Sequence, residues 1–580
     1  MKKNFHKISA LLLLLILIFS ASSVFGQNAG KIQEYKLDNG IKVLIQEVHS
    51  APVVSVFVWY RVGSRNENVG ITGISHQLEH MLFKGTKTFK PGEIDRLLNR
   101  AGAENNAFTA EDFTAYFETL PSSNLELALK IEADRMVNSL IDPKELKHEK
   151  TVVLSELEGD ENNPWFDLYE EVAAAAFKAH PYHWPVIGWK CDVLNYTRED
   201  VYKYYKEFYK PENATLVIVG DISAQEALML AKKYFGKIPS GGPVPQIMCQ
   251  EPAQQGERRV IVKKEGATTL LHVAYHIPAV KDPDIFPLSI MDSVLTGGRS
   301  SRLYKALVET ELAAEVGSWV DRHIDPTLFY ITVVLRPGVS TEKVEEVLYA
   351  ELEKLKKEPI SDLELKKAVN QVNSSFIYAR DSVTSQAETL GYYETIYTYK
   401  YIDTFADNLK KVTKEDVMKV AGKYLTPDNR TVGIFIPLPP KSPESMSAPM
   451  QAPGPARYKE DNSLVSANEK SKKTGTGGKK HPVKKKPAVS TPAKKASKPP
   501  VSKVKIEQPV RVVLDNGIIL LKCHASWIIL IHLHCCYEFS PYLFNFILRE
   551  NRVLKLISKN GNNFFKILGK HQSAKSRALP

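Results

Sequence analysis

The chain has 580 residues, more than one hydrophobic core usually serves, so several domains are expected. Its hydrophobic content of 43% is ordinary for a globular protein, and five cysteines are too few for a disulfide scaffold. The net charge of +11 comes from residues 1–26, 470–503 and 527–580, which contribute +3, +12 and +6 and leave −10 for the rest. This distribution argues against a basic folded domain, and no nucleic-acid partner is predicted.

The N-terminus has the three-part layout of a secretory signal peptide. Lys2, Lys3 and Lys7 precede the apolar run ALLLLLILIF, and small residues follow before Gln27. The apolar run is too short to span a bilayer comfortably. We therefore expect residues 1–26 to be cleaved, leaving an exported protein, periplasmic or secreted, with no stable membrane span. An uncleaved membrane anchor is the alternative.

Strand and helix patterns alternate along residues 27–245, the first predicted unit. Residues 32–60 alternate like paired strands, and Asp38-Asn39-Gly40 is a hairpin signal between the first two strands. Helical periodicity and a buried apolar run then follow in turn. The predicted helices are 74–83, 123–139, 143–160 and 196–209, and the predicted strand is 214–222.

The pattern of strands followed by a helix begins again after residue 245. Strand-like residues 258–278 and helical residues 284–298 repeat the opening order, and more helices and strands follow to about residue 436. The sequence therefore predicts an α+β fold of two similar α/β units, the second of which occupies residues 246–437.

The C-terminal part differs in composition from both units. Residues 438–504 are rich in Pro, Ser, Ala and Lys, which predicts a disordered linker. Residues 505–526 repeat the Leu-Asp-Asn-Gly-Ile string of residues 37–41, so a second copy of the module is predicted to start there. Residues 527–580 form an atypical tail that does not continue this plan. We interpret it as a truncated or misread second half; a genuine apolar helix is the alternative.

One short motif, His-x-x-Glu-His, carries the chemistry. His76 and His80 are four residues apart in a predicted helix, so both imidazoles project from one face, and Glu79 lies on the same side. Two imidazoles suit zinc, and a catalytic zinc takes three protein ligands and a water whose proton a nearby carboxylate removes. Glu79 is the candidate base. A polar helix face with hydrogen-bonded histidines is the alternative.

The motif resembles that of the pitrilysin/insulinase family of zinc peptidases, in particular the processing-peptidase-like bacterial members. The family's third ligand is a Glu about 76 residues after the second His, which implies Glu156. A Glu seven residues earlier orients the ligands, which implies that role for Glu149. The resemblance covers residues 30–436. It implies one zinc ion per chain and, in each unit, a mainly antiparallel sheet flanked by helices.

Residues 105–121 resemble the strand that follows the motif helix in this family. Asn106, Ala107, Phe108 and Thr109 correspond to an edge strand that pairs with the backbone of a peptide substrate. These four residues are therefore the predicted substrate-binding positions, where main-chain hydrogen bonds provide the affinity.

The second unit departs from the family pattern at two positions. Relatives carry an Arg and a Tyr there, which hold the substrate and steady the tetrahedral intermediate, whereas this chain has Val308 and Glu315. Neither side chain donates a hydrogen bond to an oxyanion at neutral pH. We expect a homo- or heterodimer with a complementary peptidase-like half, and our hypothesis is that a partner protein or second half that carries the Arg and Tyr supplies the missing pair.

These features predict a zinc-dependent endopeptidase that hydrolyses short or unfolded peptides, with Glu79 activating a zinc-bound water. A non-catalytic partner or scaffold subunit of the same fold is the alternative, although a scaffold has no need of an intact His76, Glu79, His80 and Glu156 set. A secreted module that binds anionic surfaces through its lysine-rich linker is a third interpretation, and it rests on composition alone.

Overall fold

The computed structural model describes residues 30–439 and the backbone of three short strands at 510–513, 518–523 and 526–531. The predicted signal peptide, almost all of the predicted linker and most of the predicted tail lie outside the described residues. Residues 30–439 belong to one structural unit and the three short strands to another. In the part of the chain described, no helix combines the length and apolar character needed to cross a membrane.

The first sheet is built from six strands. They are β1 (Gln33–Lys36), β2 (Lys42–Glu47), β3 (Val53–Tyr60), β4 (Glu104–Thr109), β5 (Thr114–Pro121) and β6 (Ala214–Gly220). In the order β1-β2-β6-β3-β5-β4, every neighbouring pair is antiparallel except β2 and β6. The apolar strands β3 and β6 are buried along almost their whole length and occupy central positions, whereas β4 lies at an edge.

The first unit also contains the helices between and after these strands. They are α1 (Ile74–Met81), α2 (Glu93–Ala101), α3 (Leu125–Asn138), α4 (Pro143–Asp160), α5 (Pro164–Ala176), α6 (Lys190–Asn195), α7 (Arg198–Phe208) and α8 (Ala224–Tyr234). The buried faces of α1, α3, α4, α7 and α8 share one core with the sheet. All four predicted helices are present, with ends shifted by up to two residues, but α2, α5, α6 and α8 were not predicted.

The second sheet repeats the plan of the first. Its strands are β7 (Arg258–Glu265), β8 (Leu270–Ile277), β9 (Ala313–Val320), β10 (Thr327–Leu335) and β11 (Arg430–Leu438). The order β7-β11-β8-β10-β9 matches β2-β6-β3-β5-β4 strand for strand, and the one parallel pair, β7 with β11, stands in the same place. The predicted fold of two similar α+β units is confirmed. β11 runs to Leu438, one residue into the predicted linker.

The helices of the second unit surround its sheet. They are α9 (Ile285–Thr296), α10 (Thr341–Lys357), α11 (Asp362–Tyr378), α12 (Val383–Ile396), α13 (Tyr401–Lys410) and α14 (Lys414–Tyr424). α9 is apolar almost all round, with buried residues on every side, and it takes the place in this unit that α1 has in the first.

The two units exchange one helix each. α5 of the first unit packs on the second sheet, where a Cβ at Gly433 would lie 2.3 Å from a Val172 methyl group. α12 of the second unit packs on the first sheet, where a Cβ at Gly391 would lie 1.9 Å from Trp59 Nε1. Both glycines therefore allow a helix and a sheet to approach closely. The predicted boundary between residues 245 and 246 separates two sheets but not two cores, because one core contains residues of both units.

The C-terminal unit contains β12 (Val510–Val513), β13 (Ile518–Cys523) and β14 (Ser526–Ile531). β12 and β13 pair antiparallel with Val512 opposite Leu520, which is the position of Tyr35 opposite Val43 when the two Leu-Asp-Asn-Gly-Ile strings are superposed. β14 pairs antiparallel with β13, whereas β2 has the parallel β6 as its next neighbour. The hairpin β12–β13 thus repeats both the sequence and the register of β1–β2. The third strand, β14, does not repeat the direction of β6.

A buried carboxylate ties the β4–β5 turn to the β9–β10 turn. Asp112 is fully buried and accepts hydrogen bonds from Tyr182 Oη at 2.6 Å, His323 Nδ1 at 3.0 Å and Ile324 N at 2.9 Å. Arg65 Nε lies 3.3 Å away. Burial alone would raise the pKa of Asp112, but His323 and Arg65 lower it below its usual value. We call this cluster the Asp112 clasp.

We expect His323→Gln to lower the free energy of unfolding by about 3 kcal/mol near pH 6, because the buried Asp112 loses a charged partner. Burial lowers the pKa of His323, but Asp112 raises it, to about 10 overall. The stabilisation is therefore complete below an unfolded pKa of about 6.5 and is lost as the pH rises through about 10.

Urea unfolding of wild type and variant between pH 6 and 10 measures this difference. His49→Gln is the matched control, because it removes an exposed His–Asp pair and should change stability far less. A deficit for His323→Gln that stays constant across the pH range would contradict the assignment of a charged His323.

Candidate metal centre

Helix α1 carries the motif, and buried polar contacts fix its first turn. Gly73 precedes the helix with φ of +80°, and a Cβ there would lie 2.2 Å from the carbonyl oxygen of Ile187. The Glu67 carboxylate accepts hydrogen bonds from Gly73 N at 2.7 Å and from Ser75 N at 2.8 Å. It thereby satisfies backbone donors that the first turn of a helix leaves unpaired.

Three ligand-type atoms meet where α1 packs against α4. His76 and His80 lie one turn apart on α1, with ring centroids 4.8 Å apart. The Oε2 atom of Glu156, on α4, lies 3.9 Å from His76 Nε2 and 3.5 Å from His80 Nε2. One ligand atom from each residue falls within 4.8 Å of the others. The structure therefore brings together the three residues that the sequence analysis selected as ligands.

Helix α4 presents Glu156 because of where it begins and which face it buries. Asp142 caps the helix and accepts a hydrogen bond from a first-turn backbone N–H at 2.8 Å. Leu146, Val153 and Leu157 bury one face of the helix in the core of the first unit. Glu156 lies three residues after Val153, at the border of this buried face. Its side chain is 37% exposed, so the site opens to solvent on this side.

Glu149 lies two turns before Glu156 on the same helix and orients one imidazole. Its Oε2 atom lies 3.3 Å from His80 Nδ1, the ring nitrogen opposite the one that faces Glu156. Lys84 Nζ lies 2.7 Å from the other carboxylate oxygen. Burial alone would raise the pKa of Glu149, but the hydrogen bonds from His80 and Lys84 lower it to about 2. An ionised Glu149 thus holds the Nδ1 proton and leaves Nε2 of His80 available as a ligand.

The two imidazoles have different electrostatic environments. Burial and the neighbouring His80 lower the pKa of His76 to about 3, so its ring is neutral. Burial also lowers the pKa of His80, but Glu149, Glu79 and Glu156 outweigh it and raise that pKa above its usual value. Among the described residues, His76 Nδ1 has no hydrogen-bond partner.

Glu79 follows His76 by three residues on α1, and its carboxylate contacts the end of β4. Its Oε2 atom accepts a hydrogen bond of 2.6 Å from Thr109 Oγ1, at the end of β4. Burial raises the pKa of Glu79 to about 7, although His80 and the Thr109 hydrogen bond act in the opposite direction. The sequence analysis selected Thr109 for its backbone and missed this hydroxyl contact, which joins residues thirty positions apart without any local pattern.

The residues present fit a zinc ion. Tetrahedral ligands about 2.1 Å from zinc lie about 3.4 Å from one another. The separations of 3.5 and 3.9 Å between Glu156 and the two imidazole nitrogens are close to this value. A neutral His76 and an outer carboxylate on His80 are the features that metal-ligating histidines require.

The predicted substrate-binding residues form an open strand edge. β4 pairs with β5, with Ala107 opposite Tyr116, and no other strand of residues 30–439 pairs with its outer edge. Ala107 is buried in the core beside α1, whereas Phe108 packs on the opposite face, with its ring 6.1 Å from that of Phe113. Asn106 Oδ1 accepts a hydrogen bond from Ala107 N at 2.9 Å. Peptide binding along Asn106–Thr109 remains a prediction.

Val308 and Glu315, the two positions that depart from the family pattern, are distant from β4 in the sequence. Val308 ends a short π-helix (Tyr304–Val308) and packs, half-buried, against the core shared by the two units. Glu315 is exposed on β9.

Known proteins resemble this chain in sequence and in fold. Residues 42–189 match the family model described as insulinase (peptidase family M16), and residues 195–372 match the one described as peptidase M16 inactive domain. Zinc protease PqqE of Helicobacter pylori is 32% identical over 412 residues, which cover 70% of this chain and 93% of that protein.

Two solved structures share the fold. A protease from Helicobacter pylori gives a TM-score of 0.68 at 31% identity and covers 70% of this chain and 100% of its own. The first half of the periplasmic protease PqqL from Escherichia coli gives a TM-score of 0.59 at 20% identity and covers 70% of this chain and 92% of its own. The chain belongs to peptidase family M16, the insulinase family of metallopeptidases.

Proposed function

We propose that the chain is a zinc-dependent endopeptidase that hydrolyses short or unfolded peptides. The observation that carries the proposal is the convergence of His76, His80 and Glu156 beside the buried carboxylate of Glu79. A zinc ion held by the three ligand residues would act as a Lewis acid, which acidifies water and polarises a peptide carbonyl.

In this proposal Glu79 moves the proton. Because Thr109 Oγ1 occupies Oε2 of Glu79, the Oε1 atom is the one that takes the proton of the attacking water. The same carboxyl group then delivers this proton to the nitrogen of the leaving amine. A pKa near 7 suits both steps, since the group must accept a proton and release it again near neutral pH.

The peptide is proposed to lie along the outer edge of β4. An extended peptide adds to a free strand edge through main-chain hydrogen bonds, so this mode accepts flexible chains and rejects folded proteins. Thr109 connects this edge to Glu79, so a bound peptide would be held next to the base. We further propose that residues 1–26 direct the protein out of the cytoplasm, on the evidence of their signal-peptide layout.

We expect Glu79→Gln to bind about one zinc per chain, as wild type does, and to lose about 10²–10⁴-fold or more in turnover. The amide keeps the shape of the side chain but cannot take a proton at neutral pH. Metal analysis and a quenched-peptide assay measure the two properties separately. Bound zinc with no turnover in wild type would favour the non-catalytic partner or scaffold reading.

We expect Glu149→Gln to weaken zinc affinity by about 10- to 100-fold, because it removes the carboxylate that orients His80. Competition with a chelator of known affinity measures the change. Glu158→Gln is the matched control, because Glu158 lies on the same helix and pairs with Lys190 at the surface. Equal affinities for the two variants would show that the His80–Glu149 contact has no role in metal binding.

We also propose that a complementary half supplies the hydrogen-bond donors missing at Val308 and Glu315. A partner chain that carries the Arg/Tyr pair, with its own catalytic Glu replaced by Gln, should raise turnover by at least tenfold when added to this chain. The replaced Glu ensures that any gain belongs to this chain's metal site. Unchanged turnover in a verified complex would count against the need for a second half.

A further inference from the structure

Helix α12 packs on the first sheet over its central strands β3 and β6, and one side of the helix contacts β5. At its start, Thr384 Oγ1 lies 2.8 Å from Thr119 Oγ1 on β5. Near its middle, the ring of Tyr392 lies 5.8 Å from that of Phe113, in the turn between β4 and β5. The helix therefore runs over the same face of the sheet from one end of β5 to the other.

Glu388 lies between these two contact points. It follows Thr384 by four residues and precedes Tyr392 by four, so helical periodicity places all three on one side of α12. Because Thr384 and Tyr392 reach the two ends of β5, this side of the helix faces β5, the strand that lies between β3 and the edge strand β4.

The carboxylate of Glu388 is unpaired among the described residues. Within residues 30–439 it forms neither an ion pair nor a hydrogen bond, and burial alone raises its pKa. A half-buried carboxylate without a cation is unfavourable, because burial removes solvent without supplying a replacement. A positively charged group brought by a ligand would relieve this cost.

The alternation of β4 determines which ligand groups reach Glu388. Phe108 lies on the α12 face, since its ring contacts those of Trp59 and Phe113. Ala107 and Thr109 lie on the other face, towards α1 and Glu79. A peptide paired with β4 alternates in the same way, so every second side chain points towards α12.

We infer that Glu388 selects a lysine or arginine side chain of the bound peptide, at positions that point away from the Glu79 side of β4. This inference rests on the proposed function, because it assumes a peptide paired along β4. It adds a specificity residue that lies on the second unit, more than 300 residues along the chain from the catalytic motif.

A lysine scan along one quenched peptide tests the inference with the full chain. In wild type, lysine should raise kcat/KM at alternate positions only, by about tenfold over glutamine at the same position. Glu388→Gln should remove this alternation, and Glu388→Lys should transfer the preference to glutamate at the same positions. Glu358→Gln, which changes an exposed carboxylate at the end of α10, is the control and should retain the wild-type pattern.

The affinity of the same peptides can be measured separately from their cleavage, by fluorescence anisotropy of labelled peptides. The proteins compared are the single variant Glu79→Gln and the double variant Glu79→Gln/Glu388→Gln. No cleavage by wild type, with alternating affinity that depends on Glu388, would reject the proposed reaction and retain the specificity residue. A lysine effect that is absent, that lacks a period of two, or that is unchanged in Glu388→Gln would overturn the inference. A uniform loss across all peptides in Glu388→Gln would also overturn it, because that is the result of a purely structural role.

Discussion

The exchange of one helix between the two units is the constraint on which the other features of the molecule depend. α5 covers the second sheet and α12 covers the first, and each meets its sheet at a close contact that a Cβ would block, at Gly433 and Gly391 respectively. Each sheet buries one face under helices of its own unit and needs the exchanged helix to cover the other face. The spacing between β3 and α12 is therefore set by the packing of the core and not by loops.

Buried carboxylates in this core have different pKa values because they have different neighbours. Glu149 and Asp112 each face cations or imidazoles, their pKa values are lowered, and they hold other groups in place. Glu79 and Glu388 lack such a surplus of positive partners, and their pKa values are raised. The paired carboxylates thus hold neighbouring groups in place, and the poorly paired ones are those for which we propose a reaction or ligand binding.

The local features of the site could be predicted from the sequence, whereas the long-range ones could not. The spacing of His76 and His80 fixes a shared helix face, and the helix start at Asp142 and Pro143 is encoded in adjacent residues. Glu156 was selected through the family resemblance, because no periodicity connects it with His80. Contacts such as Thr109 with Glu79 depend on how distant elements pack, which a single sequence does not display.

The unpredicted helix α5 illustrates the same limit. Its sequence, PWFDLYEEVAAAA, begins with a proline after a capping Asn163 and is a good helix former. Its apolar face packs on the sheet of the other unit, however. Its role could therefore not be predicted when residues 27–245 were treated as a unit that folds by itself. Repeated sequence patterns locate the two units, but they do not reveal the surfaces through which the units pack against each other.

The second unit shows what duplication of a fold preserves. There, Asp292 of α9 accepts a hydrogen bond from Ser318 of the edge strand β9, and burial raises the pKa of Asp292 to about 7. This carboxyl–hydroxyl contact joins helix to edge strand as Glu79 and Thr109 do in the first unit. No imidazole stands on α9, whose sequence is IFPLSIMDSVLT. A buried acid linked to an edge strand is thus common to both units, and the first unit differs by the two histidines of α1, which we propose as metal ligands.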